Sequence, residues 1–143
     1  KITRYRTFTR VYVPEGSELL SIEGSLEDDA LNNPTLTPDE PVIGTELGKT
    51  VFGAFISVEP LTSRTLTFRY RLPDRLREAA DRGGYDLLFQ KQLGARNYAL
   101  TLDLNFGTKL KRAVPAEEPK EWGDARYRLN TILDQDRSFE IDL

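Results

Sequence analysis

Alternation of apolar and polar residues with a period of two dominates the chain. It is clearest over Tyr98–Phe106, where apolar side chains alternate with small or polar ones. The same pattern runs over Arg64–Leu72 and over the last residues, where Phe139, Ile141 and Leu143 alternate with polar positions. Because successive side chains of a strand point to opposite faces, these three segments are predicted to be half-buried strands.

Less regular segments supply the remaining strands and one helix. Short stretches bounded by Gly or Pro, several of them rich in Val, Thr, Tyr and Phe, are predicted as strands over Tyr5–Val13, Leu19–Ile22, Thr50–Val58, Tyr85–Gln92, Lys109–Val114 and Arg126–Leu133. A short helix is predicted over Asp74–Arg82, with Asp74 as its cap and Gly83-Gly84 at its end. About eight or nine short strands without helix–strand alternation are typical of a sandwich or barrel.

The chain is therefore predicted to be all-β: one antiparallel β-sandwich domain over residues 1–143, immunoglobulin-like in architecture, with one short helix. Outward Arg side chains are expected to pair with outward Asp or Glu on a neighbouring strand. Asp134–Asp136 is expected to be a hairpin turn between Arg126–Leu133 and Arg137–Leu143. The predicted core comprises Val11, Val13, Phe52, Ile56, Leu66, Phe68, Tyr70, Leu87, Phe89, Leu100, Leu102, Leu104, Phe139 and Ile141.

Composition narrows the function classes. The 143 residues include 20 Lys and Arg against 23 Asp and Glu, for a net charge of −3, and no His or Cys. Without His or Cys there is no zinc finger, no Cys nucleophile, no Ser-His-Asp triad and no disulfide, and we expect no cofactor. The acidic balance argues against a nucleic-acid partner. No apolar run approaches the roughly 18 residues that span a bilayer.

The first residue, Lys1, is not a native start. We therefore expect a processed or excised piece of a larger protein, whose signal peptide or membrane helix lies upstream of this chain. The lack of Cys fits an extracellular bacterial protein, although cytosolic proteins can also lack Cys.

Two groups of carboxylates suggest chemistry. A long acidic surface loop is predicted over Glu27–Pro41; its acids could bind Ca²⁺, but the Asp-x-Asp-x-Asp-Gly spacing is missing and a solvated loop is favoured. A glycoside hydrolase requires two acids facing each other across a cleft, which Asp103, Glu140 and Asp142 on outward strand faces could supply. Solvation, or pairing with Arg69 and Arg71, is the favoured interpretation.

Lys91 presents a second question. If Phe89 points inward, alternation points Lys91 inward too, and a buried Lys must be paired. An intramolecular amide bond to Asn130 or Asn105 is one explanation. The favoured explanation is that Lys91 lies at the strand end and extends its ammonium into water.

The candidate ligand-binding residues are Trp122 and Tyr127. Trp122, the single Trp of the chain, could stack on a sugar ring, or it could cover the core, which is the favoured interpretation. Tyr127 lies between Arg126 and Arg128, and alternation sends the Arg and Tyr side chains to opposite faces. Together with exposed Tyr side chains, these rings would serve a carbohydrate-binding module.

Several strings in the chain resemble, in order and spacing, the C-terminal region of the bacterial domain-of-unknown-function family 4012: Arg10–Leu20, Glu46–Gly53, Phe68–Pro73, Tyr85–Gly94 and Leu133–Phe139. Two departures are Leu93, where family members often carry Pro, and the longer helical insert over Asp74–Gly84. The resemblance implies a membrane-anchored, extracytoplasmic protein from a family often linked with cell-surface polysaccharide systems. It implies no catalytic residues.

These observations favour a non-catalytic structural or interaction module on the bacterial cell surface, with envelope polysaccharide or a surface protein as its partner. The alternative is a carbohydrate-binding module that recognises envelope polysaccharide. A third hypothesis is a hydrolase that uses outward carboxylates. A concave face around Trp122 would favour glycan binding, and buried rings would favour a scaffold.

Overall fold

The computed structural model describes residues 3–26 and 40–143, of which strands make up most and a single short helix a small part. The prediction of an all-β chain is confirmed. The chain divides into two compact units, an N-terminal unit (Lys1–Pro73) and a C-terminal unit (Asp74–Leu143). Residues 27–39, which make up most of the predicted acidic loop and carry the calcium hypothesis, lie outside the described residues.

The described residues of the N-terminal unit form five strands in two antiparallel sheets. Their bounds are β1 (Tyr5–Pro14), β2 (Glu18–Glu23), β3 (Val42–Glu46), β4 (Lys49–Val58) and β5 (Thr67–Arg71). One sheet has the order β1-β4-β3, and the other pairs β2 with β5. The β1–β4 register places Phe8 opposite Phe55 and Val13 opposite Thr50.

Strand β3 is an element that the alternation did not predict. All five of its residues are exposed, so neither face carries an apolar stripe. The local signal lies in the two residues that join it to β4, Leu47 and Gly48, which have φ values of 52° and 67°. Two consecutive left-handed residues make a tight hairpin whose twist matches that of the flanking strands.

The core of the N-terminal unit forms on one face of β4. Phe52 is fully buried, and its ring centroid lies 5.8 Å from that of Tyr70 on the other sheet. Val13 and Ile56 are buried as predicted. The predicted core residues Val11, Leu66 and Phe68 are half-buried, and Tyr70 remains 38% exposed. The Tyr70 ring is therefore partly covered by Phe52 and partly open to solvent.

The C-terminal unit contains the helix and the other five strands: α1 (Asp74–Asp81), β6 (Gly84–Phe89), β7 (Tyr98–Asn105), β8 (Arg112–Val114), β9 (Arg126–Leu133) and β10 (Arg137–Asp142). The predicted helix is confirmed and begins at the predicted cap, Asp74. The sheets have the orders β6-β10-β8 and β7-β9, and all pairings are antiparallel.

The predicted hairpin between β9 and β10 is wrong. Strand β9 pairs with β7, whereas β10 pairs with β6 and β8, so the turn joins strands of two different sheets. Its acids have other partners: Asp136 accepts a hydrogen bond from the Lys91 N–H at 2.7 Å, and Asp134 pairs with Arg137. The prediction that an Asp of this turn accepts a hydrogen bond from a backbone N–H is confirmed. The N–H is that of Lys91, in the segment that follows β6.

The core of the C-terminal unit forms between its two sheets. Tyr127 of β9 is fully buried, and its ring centroid lies 6.3 Å from that of Phe139 of β10. Leu102, Leu110, Ala113 and Ile141 complete the buried cluster. The other predicted core residues of this unit pack against the cluster while partly buried: Leu87, Phe89, Leu100 and Leu104.

Within the part of the chain that the structure describes, no helix has the length and apolar character needed to cross a membrane.

Candidate functional site

A groove of about 530 Å³ opens in the C-terminal unit, around the connection between β8 and β9. Its volume falls within the roughly 300–1,000 Å³ that is usual for small-ligand sites. Two cations, one aromatic ring and one buried acid give it its chemistry. The lining residues are Lys111, Arg112, Ala113, Ala116, Glu117, Pro119 and Trp122.

Trp122 lies on this groove and is 41% exposed. Trp122 is neither inside the core nor fully in solvent. The favoured interpretation, that Trp122 covers the core, therefore does not account for its exposed part. A half-exposed indole presents part of a flat apolar ring at the surface. Trp122 therefore lies at the surface of the C-terminal unit, and its role in ligand binding stays a prediction.

Tyr127 is the sequence-predicted site residue that does not reach this surface. Its ring is 0% exposed, and its hydroxyl donates a hydrogen bond to the backbone carbonyl of Pro115 at 2.8 Å. With no ring face open, Tyr127 cannot stack on a ligand, and the ligand-binding role expected for it is corrected to a core role. Burial, together with the nearby carboxylate of Glu117, raises the pKa of Tyr127 to about 12.

Glu117 is the functional candidate that the sequence analysis did not single out. Its side chain is only 6% exposed, and its Oε1 accepts a hydrogen bond from the Arg128 N–H at 2.6 Å. Its Oε2 is buried and has no hydrogen-bond partner among the described residues. A buried polar atom without a partner is rare in folded proteins, because its lost hydration is not replaced.

Two cations line the same groove. Arg112 pairs with Asp142 at 3.3 Å and with Glu140 at 3.5 Å, on the neighbouring strand β10. The Lys111 ammonium donates a hydrogen bond to the backbone carbonyl of Leu143 at 2.6 Å. The groove thus combines two positive side chains, one negative side chain and an apolar surface.

The acids of the hydrolase hypothesis lie outside any such groove. Asp103 pairs with Arg126 of the adjacent strand at 2.9 Å, and Glu140 and Asp142 both pair with Arg112. All of these side chains are 43–56% exposed. The expected pairing between outward Arg and outward acids is confirmed, but the arginines are not the expected ones.

Arg69 and Arg71, the expected partners of those acids, belong to the N-terminal unit. Arg69 pairs there with Glu23 at 3.7 Å, and Arg71 pairs with Glu18 at 3.2 Å. Alternation indicated correctly which face each residue occupies, but it could not indicate which strands are neighbours.

Lys91 lies just beyond the end of β6, as the favoured interpretation requires, but its ammonium binds backbone carbonyls where that interpretation placed it in water. Its ammonium donates hydrogen bonds to the backbone carbonyls of Gln92 and Ala95, at 3.1 and 2.6 Å. The amide groups proposed for a cross-link have other partners: Asn130 accepts from Thr101, and Asn105 accepts from Gly107. The geometry therefore gives Lys91 a loop-stabilising role.

A second, smaller groove of about 330 Å³ lies on the N-terminal unit. Arg10 and Glu46 line it, together with the ring of Phe8 and with Gly53. An ideal Cβ on Gly53 would lie 2.4 Å from the Phe8 ring, so the ring occupies the space that a side chain would take. The Phe8 ring thus forms part of the groove wall and lies directly over Gly53.

Across residues 3–26 and 40–143, no group of three or more acidic side chains is placed to hold a metal ion. Neither a scan against protein-family models nor searches of curated proteins and of solved structures found a match to this chain. The resemblance to family 4012 stays a prediction.

The raised pKa of Tyr127 predicts a specific loss of stability at alkaline pH. The folded chain holds the phenolic proton up to about pH 12, whereas the unfolded chain releases it near pH 10, so this contribution is complete below about pH 10 and is lost as the pH rises towards 12. Tyr127→Phe loses about 1 kcal/mol at neutral pH through its missing hydrogen bond, but it lacks this titration.

Urea unfolding followed by circular dichroism, at about pH 8 and about pH 11, checks this prediction. The five other Tyr residues are common to both proteins, so the difference between them isolates Tyr127. The wild type should lose more stability than Tyr127→Phe between the two pH values. Equal losses would contradict the burial of a protonated phenol.

Proposed function

We propose that this chain is a non-catalytic structural or interaction module of a bacterial cell-surface protein, located outside the cytoplasm. The observation that carries the proposal is that the exposed acids form ion pairs with arginines. Asp103, Glu140 and Asp142 each pair with an arginine of an adjacent strand, and none of them faces a second acid across a cleft. Such pairs are typical of a solvated surface, and these three described acids form no pair of carboxyl groups facing each other of the kind that glycoside hydrolysis needs.

The finer architecture belongs to the same proposal: an antiparallel, immunoglobulin-like β-sandwich. Two observations support it. In the N-terminal unit, the Phe52–Tyr70 contact joins the two sheets. In the C-terminal unit, Tyr127 and Phe139 from different sheets share one buried cluster. Two sheets that bury a common apolar layer are the defining feature of a sandwich.

The cellular location is supported by sequence features. The strings that resemble family 4012 run through most of the chain, from Arg10–Leu20 to Leu133–Phe139. The absence of Cys is compatible with an oxidising exterior, in which stray thiols react.

Surface labelling of intact cells tests the proposal. Antibodies raised against this chain should label unbroken bacteria that express the full-length protein, with a cytosolic protein as the control that is labelled only after permeabilisation. Labelling of the chain only after permeabilisation would contradict an extracytoplasmic location.

A second candidate function is the binding of envelope polysaccharide. The half-exposed Trp122 in a groove of ligand-binding size favours it. Aromatic rings bind sugars through the apolar C–H face of a pyranose, which an indole matches in shape and polarity. With Tyr127 buried, this candidate depends on Trp122 as its only aromatic contact in the groove.

Intrinsic fluorescence tests this second function, because Trp122 is the only Trp of the chain. Titration with soluble envelope polysaccharide should shift the Trp122 emission to shorter wavelength in a saturable way, since a stacked sugar removes water from the ring. An unchanged emission spectrum at saturating polysaccharide would contradict glycan binding in the groove.

A further inference from the structure

We propose that the free edge of β3 pairs with the β3 edge of a second copy of this chain. The two strands would run antiparallel about a two-fold axis at Gly44, so that two β1-β4-β3 sheets become one continuous sheet. The inference goes beyond the proposed function, because it names an interaction surface and its partner and does not depend on where in the cell the chain is located.

Strand β3 is a sheet edge without the usual protection against pairing. It is the outer strand of its sheet, its register with β4 runs without a bulge, and Val42 and Ile43 are 54% and 62% exposed. The strand contains no Pro or Lys, and its one charged residue, Glu46, stands at its end. An exposed, regular and partly apolar edge of this kind readily pairs with another strand.

Other outer strands have the protection that β3 lacks. Strand β1, at the opposite edge of the same sheet, carries Arg6 and Arg10 and ends at Pro14. The register of β2 with β5 shifts after Leu19, and β8 is only three residues long. Charges, proline, bulges and short length all hinder the pairing of sheet edges.

The backbone groups that β3 offers follow from its register with β4. The two-residue turn after Glu46 makes Glu46 a hydrogen-bonded partner of β4, and the same holds for every second residue before it, Gly44 and Val42. Ile43 and Thr45 alternate with these residues, so their N–H and C=O groups point away from β4. These groups have no partner among the residues that the structure describes.

One register allows both copies to use all of these groups. It pairs Ile43 of each copy with Thr45 of the other, and each such pair exchanges two hydrogen bonds. Sliding one copy by two residues pairs Thr45 with Pro41, which has no N–H, or pairs Ile43 with Leu47, whose φ of 52° is not that of a strand. Gly44 then lies at the axis, where a Cβ would have nothing within 4 Å and where no side chain obstructs the approach.

The same register brings complementary side chains together. Leu47, which is 86% exposed at the hairpin tip, comes next to Pro41 of the second copy. Glu40 comes next to the Lys49 end of the other hairpin, and neither Glu40 nor Lys49 forms an ion pair with a described residue. Because the two-fold axis repeats this contact, opposite charges meet at both ends of the paired strands.

The small area of the contact predicts a weak dimer. A pair of five-residue strands buries far less than the roughly 800 Å² per partner of a stable interface. Sedimentation equilibrium between about 0.01 and about 1 mM should therefore show the average mass rising from that of the monomer towards twice that value. A monomer throughout this range would overturn the proposal, leaving the edge to a strand of a different protein and the surface-labelling test unaffected.

Thr45→Pro removes the outward N–H of Thr45 and keeps the hydrogen bonds to β4, because an edge strand tolerates Pro where its nitrogen faces solvent. Each dimer then loses two hydrogen bonds, so the dissociation constant should rise at least about tenfold. The matched control, Thr45→Ser, keeps the N–H and should associate as the wild type does. Circular dichroism should show both variants to be folded. Equal association of Thr45→Pro and the wild type would overturn the proposal.

Hydrogen exchange locates the contact within the dimer. The amides of Ile43 and Thr45 should become protected as the concentration rises, whereas those of Val42 and Gly44, which are bonded to β4, should be protected at every concentration. A dimer in which the Ile43 and Thr45 amides stay unprotected would overturn the proposal, because the two copies would then meet on another surface.

Charge reversal tests the register. Glu40→Lys puts Lys beside Lys at both ends of the dimer, and Lys49→Glu puts Glu beside Glu. Each variant alone should therefore associate at least about threefold more weakly than the wild type at low ionic strength. An equimolar mixture forms mixed dimers with Lys beside Glu at both ends and should associate as the wild type does. A mixture that associates no better than the separate, folded variants would overturn the register and with it the proposal.

Discussion

The burial of Tyr127 is the constraint on which the arrangement of the C-terminal unit depends. It is the largest fully buried side chain of the described residues, and its ring packs against Phe139 on the other sheet of the unit. Its hydroxyl cannot remain without a partner in that position, and the Pro115 carbonyl accepts its hydrogen bond. The same side chain therefore joins two sheets and fixes the segment that follows β8.

The next residue of β9 extends this attachment. The Arg128 N–H holds Glu117, so two consecutive residues of one strand secure two positions of the connecting segment, Pro115 and Glu117. Trp122 follows five residues after Glu117 and lines the same groove. The position of the groove-lining segment thus depends on the hydrogen bonds that Tyr127 and Arg128 of β9 make to it. Glu117 differs from the exposed acids. Asp103 on β7, and Glu140 and Asp142 on β10, have arginine partners at the surface, whereas Glu117 is buried and its Oε2 has no hydrogen-bond partner among the described residues.

Local alternation was sufficient to predict most strands, because half-buried strands such as β7 and β10 show their faces in the sequence. It failed where that physical basis is absent: β3 is exposed on both faces and has no stripe. Pairing between strands depends on contacts distant in sequence, so the predicted β9–β10 hairpin was wrong. Tyr127 was assigned to a ligand although alternation places it opposite Arg126 and Arg128, on the face of β9 that is buried at Tyr127. Glu117 had no local signal at all, since its burial depends on the Arg128 N–H.

Hydrogen exchange at the Arg128 amide tests most directly whether β9 holds the groove-forming segment. The amide should be protected in the wild type and in Glu117→Gln, which retains an acceptor oxygen, and it should lose this protection in Glu117→Ala while the amides between β7 and β9 keep theirs. An Arg128 amide that exchanges equally fast in all three proteins would contradict the account, because the Arg128 N–H would then not hold the segment between β8 and β9 through Glu117.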